Sequence, residues 1–142
     1  MTYEEKVRWL QRYQMEVQRE KELASELLQL RNRATAIEVH IDDMPRGKTD
    51  SDIMLTAVVS IIEEEKELRN QTIRCNLVRS EVVEAITSIP KEREQLILRY
   101  RYIAGLGWEK IAEKMNICSK WCKVLHDKAV TCIVINRRTD AN

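Results

Sequence analysis

The 142-residue chain predicts an all-α protein, with a long antiparallel helical hairpin over residues 1–88 followed by a three-helix domain over residues 89–142. Three observations carry this reading. Only three glycines and two prolines interrupt the chain, phenylalanine is absent, and a third of the residues are charged, a balance that suits water-facing helices better than strands. Apolar residues recur at steps of three and four through both halves, which is the period of a helix face. One segment rich in turn residues, 42–51, separates the first two periodic stretches.

The first stretch reads as a helix from Thr2 to about Ile41. Val7, Leu10, Val17, Ala24, Leu27, Leu28, Ala34, Ile37 and Ile41 share its apolar face. Thr2 followed three residues later by Glu5 is a capping-box pattern, in which each side chain accepts from the other's backbone N–H. Pro45 disfavours helix before it and Gly47 tolerates a turn, so the helix is expected to stop near Asp42.

A second helix is expected from Asp50, Ser51 or Asp52, all good N-caps. Its seam, Met54, Val58, Ile61, Leu68, Cys75, Val82, Ile86 and Ile89, alternates four and three as a heptad does, with polar Glu65, Thr72 and Arg79 in the gaps. Two such helices joined by a short connection fold back on each other. A turn centred near residue 47 sets Arg31 near Glu65 and Gln14 near Arg79, polar pairs that would fix register. The hairpin reads first as a spacer or a dimerisation element.

Pro90 suits the first turn of a new helix, where its missing N–H costs nothing, and Glu92 and Glu94 suit the positive helix start. Leu96, Ile97, Tyr100 and Ile103 form the expected buried face, and Gly105 ends the helix. Trp108–Met115 forms the next helix, burying Trp108, Ile111, Ala112 and Met115. Asn116 and Ile117 make a turn, and a third helix opens at Cys118 or Ser119, with Ser119 the better cap. Cys122, Leu125, Ala129 and Ile133 are its expected core residues; Ser119, Lys120, Lys123, Val124, Asp127 and Lys128 lie opposite. Trp121 reads as packing against the preceding helix in preference to standing near DNA. Two short helices around a tight turn are the arrangement that sets one helix into a DNA major groove.

Charge separates the halves. Residues 1–90 carry 13 Lys and Arg against 17 Asp and Glu, whereas residues 91–142 carry 11 against 6. The second half is therefore the one expected to meet a polyanion. No apolar run approaches the roughly 20 residues of a membrane span, and Met-Thr-Tyr-Glu-Glu-Lys is no signal peptide, so a cytoplasmic protein with no membrane partner is expected. Its cysteines are then reduced thiols. Cys118, Cys122 and His126 share a helix face but lack a second ligand cluster, so core packing is preferred to a metal site. Glu63–Glu65 and His40 have no catalytic company, and no phosphate-binding glycine loop or nucleophile–base pair occurs. Neither an enzyme nor a cofactor is expected.

Pro90-Lys-Glu-Arg93-Glu, Leu98-Arg99-Tyr100, Gly105-Leu-Gly-Trp108-Glu-Lys-Ile111-Ala112-Glu-Lys-Met115 and Leu125-His126-Asp-Lys128-Ala129 resemble region 4 of bacterial sigma factors, the module that recognises the −35 promoter element. The resemblance covers roughly residues 86–135. The whole chain is similar to small phage and prophage proteins of Gram-positive bacteria, the ArpU/RinA-like late-operon regulators. That resemblance implies a double-stranded-DNA-binding transcription regulator. It places DNA readout on Ser119, Lys120, Lys123 and Val124, with Arg99 and Lys110 on the DNA backbone; Lys128 joins them from its place on the exposed face. RNA polymerase is a further implied partner, and the amino-terminal helices would form a homodimer or contact polymerase. Cys118 stands where the family usually has Ser or Thr, and Val124 where a polar reader is common. No counterpart of sigma region 2 is present, so the chain is not expected to act as a complete sigma factor. Two other classes compete: a small terminase-like packaging subunit, which would form rings, and a modulator that binds RNA polymerase instead of DNA.

Overall fold

A computed structural model describes residues 1–42 and 48–136. Among the described residues all regular structure is helical: α1 (Tyr3–Asp42), α2 (Lys48–Thr87), α3 (Glu92–Leu98) running into a π turn (Arg99–Ile103), α4 (Trp108–Met115) and α5 (Ser119–Cys132). The expected turn around Pro45 and Gly47 lies outside the described residues. No helix among those described is long and apolar enough to cross a membrane.

The capping box is formed at the start of α1. The Thr2 backbone N–H donates to Glu5 Oε2 at 2.8 Å, and the Glu5 N–H donates to Thr2 Oγ1 at 3.2 Å. α2 begins at Lys48, ahead of the expected caps, so Asp50 lies within its first turn, where a carboxylate meets the positive end of the helix dipole.

The chain divides into two compact units: a terminal unit of residues 1–16 with those from 75 onward, and a middle unit of residues 17–74. The core of the terminal unit is built from Leu10 of α1, Val82, Ile86 and Ile89 from the end of α2, Leu98 and Tyr102, and Ala129 and Val130 of α5. Trp9, Val78 and Ala85 join them. The α2 seam therefore runs through Gln71, Cys75, Val78 and Val82, leaving Thr72 and Arg79 exposed. A one-residue shift, about 100° around the helix, replaces Arg79 by Val78 in the seam and Thr72 by Gln71, so one of the two positions stays polar.

In the middle unit Leu27 is buried as expected, but Leu23 is buried with it while Ala24, Leu28 and Val58 are exposed, contrary to expectation. Arg31 Nη2 and Glu65 Oε1 lie 2.6 Å apart, the polar pair expected from antiparallel counting. In the terminal unit Gln14 does not pair with Arg79; its side-chain amide donates to the Tyr102 and Ile103 carbonyls at 2.9 and 3.0 Å.

Those carbonyls belong to the last turn of the helical stretch, where C=O groups have no partner within the helix, and that stretch ends in a π turn. The Ala104 N–H reaches back to Arg99 O at 2.9 Å, the five-residue span of a π turn. The extra residue shifts the phase of the buried face, so Tyr102 is buried and Ile103 and Tyr100 only partly so. Leu96, expected inside, is exposed, and Leu98 takes the core position. Pro90 also stands outside the helix, two places before its first residue, since Lys91 is the N-cap and Glu92 opens α3. Gly105 closes the turn at φ +71, and a Cβ there would stand 2.8 Å from Gln14 Oε1. The backbone angle calls for glycine, and any side chain there would also have to displace the end of Gln14.

Candidate nucleic-acid interface

α4 and α5 pack through a second core in which Ile97, Ile111, Cys122 and Leu125 are buried and Trp108, Ala112, Met115 and Ile117 are partly so. The connection is short. Asn116 adopts the left-handed conformation at φ 57, and the Ile117 N–H bonds back to Ala112 O at 3.2 Å. Asparagine accepts that conformation more readily than most residues, which makes it a natural helix stop. Cys118 is the α5 N-cap and its side chain makes no capping hydrogen bond. Ser119, the expected cap, is instead the first helical residue.

The two faces of α5 have different chemistry. Cys122, Leu125, His126, Ala129 and Val130 are buried, and Ile133 just beyond the helix is buried with them. Lys120, Lys123, Asp127 and Lys128 are exposed on the other side, with Ser119 and Val124 half-buried among them. Trp121, expected to pack against the preceding helix, is 44% exposed, and the Lys128 ammonium stands 5.6 Å from its ring centre. That spacing suits a cation–π contact.

A polar network holds α5 in place. His126 is buried, with Nε2 2.6 Å from the Tyr102 hydroxyl and Nδ1 3.1 Å from Asp127 Oδ1. The carboxylate can only accept, so Nδ1 carries the proton and Nε2 accepts from Tyr102. The Tyr3 hydroxyl donates to the same Asp127 oxygen at 2.6 Å, and Lys6 Nζ donates to Thr131 O at 3.1 Å. The first turn of α1 thus grips the C-terminal half of α5. Trp108 meets the His126 ring edge-on at 5.0 Å. Arg101 lies 4.6 Å over Trp108 and donates to Leu106 O, tying down the connection into α4.

Burial holds His126 below its ordinary pKa of 6.5, outweighing the neighbouring Asp127. The hydrogen bond from Tyr3 holds Asp127 below the usual carboxylate range, helped by His126. Burial raises Tyr102 to about 12, and burial with the Asp127 hydrogen bond raises Tyr3 to about 12. Both tyrosines therefore remain hydroxyl donors at neutral pH. Asp127 is the one carboxylate on the exposed face of α5, and its charge is shared with Tyr3 and His126.

The structure brings together five of the sequence-derived contact residues on α5: Ser119, Lys120, Lys123, Val124 and Lys128. Arg99 and Lys110 lie elsewhere. Arg99 is exposed on the π turn, and Lys110 is exposed on α4 with Glu113 3.8 Å away. Sequence reasoning missed Tyr3, Tyr102 and Asp127 as a support for α5. The available signal was His126 itself, since an imidazole on an apolar helix face requires polar partners. On the cysteine–histidine face, Cys118 is exposed, Cys122 is buried with its thiol pushed up by burial, and both His126 nitrogens are engaged. Among the described residues no group of three His, Cys, Asp or Glu is placed to hold a metal ion.

Scans of the chain against protein-family models, curated proteins and solved structures gave no match in any of the three.

Proposed function

We propose that the chain is a sequence-specific double-stranded-DNA-binding transcription regulator of the phage sigma-region-4-like kind, a binding protein and not an enzyme, working in the bacterial cytoplasm. On this reading α4 and α5 are a helix-turn-helix and α5 enters the major groove. The two long helices form the hairpin that dimerises or meets RNA polymerase. One observation carries the reading: an amphipathic α5 follows a left-handed asparagine turn and exposes Lys120, Lys123 and Lys128 together while its other face is fully packed. Lysines so placed neutralise phosphates or donate to guanine edges, and the Val124 side chain is suited to a thymine methyl. Arg99 and Lys110 would hold the flanking backbone.

Selection of bound duplexes from a random pool, followed by anisotropy titration of the selected sequence, tests the reading. Binding is expected to weaken steeply with salt. Lys120→Ala/Lys123→Ala should reduce the magnitude of the log–log salt slope by about 2, at about 0.9 for each phosphate no longer neutralised, with helix content unchanged. Failure to select any duplex would overturn the function; unchanged affinity in the double variant would overturn the assignment to α5.

A further inference from the structure

α5 carries one charge of the wrong sign for its proposed ligand. Asp127 is exposed on the face that presents Lys120, Lys123 and Lys128, and it stays ionised at neutral pH because the Tyr3 hydrogen bond holds it below the usual carboxylate range. A carboxylate so placed weakens DNA binding in two ways. It repels phosphates, and it can pair with a lysine one turn away and so withdraw that lysine from them. Lys123 is that lysine, four residues before Asp127 on the same helix. Lys128, the adjacent residue, points about 100° further round and stands over the Trp121 ring.

The Lys123–Asp127 pair is not made. Among the described residues Lys123 has no ion-pair partner, and Asp127 is held by two donors on one oxygen. The Tyr3 hydroxyl reaches Oδ1 at 2.6 Å and His126 Nδ1 reaches it at 3.1 Å. Both donors are themselves fixed. His126 is buried with Nε2 taken by the Tyr102 hydroxyl. Tyr3 lies in a first turn fastened by the Thr2–Glu5 capping box and by Lys6 on Thr131 O. Neither donor is a cation at neutral pH, since Tyr3 is raised to about 12 and burial lowers His126. The carboxylate is thus bonded without drawing a lysine from the exposed face. We propose that Tyr3 is a positioning residue of the DNA-binding face: with His126 it holds the Asp127 carboxylate toward α1 and leaves Lys123 free to neutralise a phosphate. The inference rests on the DNA-binding reading and adds to it a residue from the other end of the chain.

The test is a double-variant cycle on the full chain, titrated by anisotropy against the duplex selected from the random pool. Tyr3→Phe keeps the ring and removes the donor. It should weaken binding about threefold to fivefold, the worth of one exposed ion pair, and lower the magnitude of the log–log salt slope by as much as about 0.9. Asp127→Asn keeps an acceptor oxygen for both donors and removes the charge, so it should bind at least as tightly as the native chain. Tyr3→Phe/Asp127→Asn should then bind as Asp127→Asn does, because without the carboxylate Tyr3 has nothing to restrain. A Tyr3 that only supports α5 costs the same affinity in both backgrounds, and that result overturns the proposal. So does Tyr3→Phe with affinity and slope unchanged. A second readout needs no DNA: the NMR signal of Lys123 after reductive methylation of the lysines, assigned by its loss in Lys123→Arg. It should shift in Tyr3→Phe and return in Tyr3→Phe/Asp127→Asn, and a signal indifferent to Tyr3 overturns the positioning role. Circular dichroism checks that the helices persist. A native chain that binds no duplex overturns the proposed function and this inference with it, whereas duplex binding that ignores the cycle counts against this inference alone.

Discussion

Along α1, Leu10 near the start is fully buried, whereas Leu28 near the middle stands in solvent. Both belong to the same helix, and what differs is the number of elements packed around them. In the terminal unit the ends of α1 and α2 meet α3, the π turn and α5, and the core is closed on all sides by Tyr102, Ala129 and Val130. In the middle unit two helices share a narrow seam, with Leu23, Leu27 and Gln71 buried and Arg31–Glu65 across it. A helix pair cannot shield both flanks of its own seam. Heptad regularity alone makes register, while burial comes from the third and fourth element.

The largest expected effects test that difference directly. Leu10→Ala removes a side chain from a closed core and should cost about 2–5 kcal/mol, the range for a cavity that cannot collapse. Leu27→Ala opens onto solvent on both flanks and should cost about 1–2 kcal/mol, close to the transfer term alone. The chain provides its own probe: Trp9, Trp108 and Trp121 all lie in the terminal unit. Urea unfolding followed by tryptophan fluorescence therefore reports that unit, and circular dichroism reports both. Equal costs for the two substitutions would break the comparison.

A second contrast concerns polar groups. Tyr102→Phe keeps the ring and deletes the hydroxyl that donates to buried His126 Nε2. It should lower terminal-unit stability by about 1–3 kcal/mol, since a buried acceptor loses its partner. Deleting the exposed end of Arg31 with Arg31→Met, in the middle unit, should change stability by no more than about 1 kcal/mol. The fluorescence and dichroism midpoints measure the two separately.

The legible parts of the sequence are those with local signals. α4 matches its expected bounds because Gly107 and Asn116 flank a short apolar pattern. The α5 core residues Cys122, Leu125 and Ala129 follow from helical period, and so does the shared face of Lys120, Lys123 and Lys128. Arg31–Glu65 follows from counting back along two antiparallel helices. The misreadings come from effects that no local window contains. Ala24 and Leu28 fit the apolar period as well as buried Leu23 does, and only the direction of the partner helix decides between them. The same counting pairs Gln14 with Arg79 and fails there, because the acceptors Gln14 finds, Tyr102 O and Ile103 O, are freed by the end of a π turn. The Tyr3–Asp127–His126–Tyr102 network joins residues from three distant segments, and each member alone is an ordinary residue of its helix.

Acid should divide the two units with opposite sign, which gives the smallest and most selective prediction. In the terminal unit His126 is held below 6.5 by burial and Asp127 below 3.8 by Tyr3. Groups with lowered folded pKa values contribute stability that is complete above their ordinary pKa and is lost as pH falls through the folded value. That unit should weaken as the solution is taken below about pH 6.5, first through His126 and then through Asp127. In the middle unit Glu64 is raised above 4.5, mainly by its hydrogen bond with Glu26, then by burial and by Glu67. A raised carboxyl contributes stability below its ordinary pKa and loses it as pH rises through the folded value, so at neutral pH the Glu26–Glu64 contact opposes packing. Acidification toward the glutamate range should then strengthen the middle unit while the terminal unit loosens. Hydrogen exchange resolved to residues 17–74 and 75–132 measures the two trends in one sample. Glu64→Gln keeps the shape, removes the titration, and should slow exchange in the middle unit at neutral pH while leaving the terminal unit's acid response intact. If that variant instead flattened the response of both units, Glu64 would be coupled to the His126 network and the two regions would not be electrostatically separate.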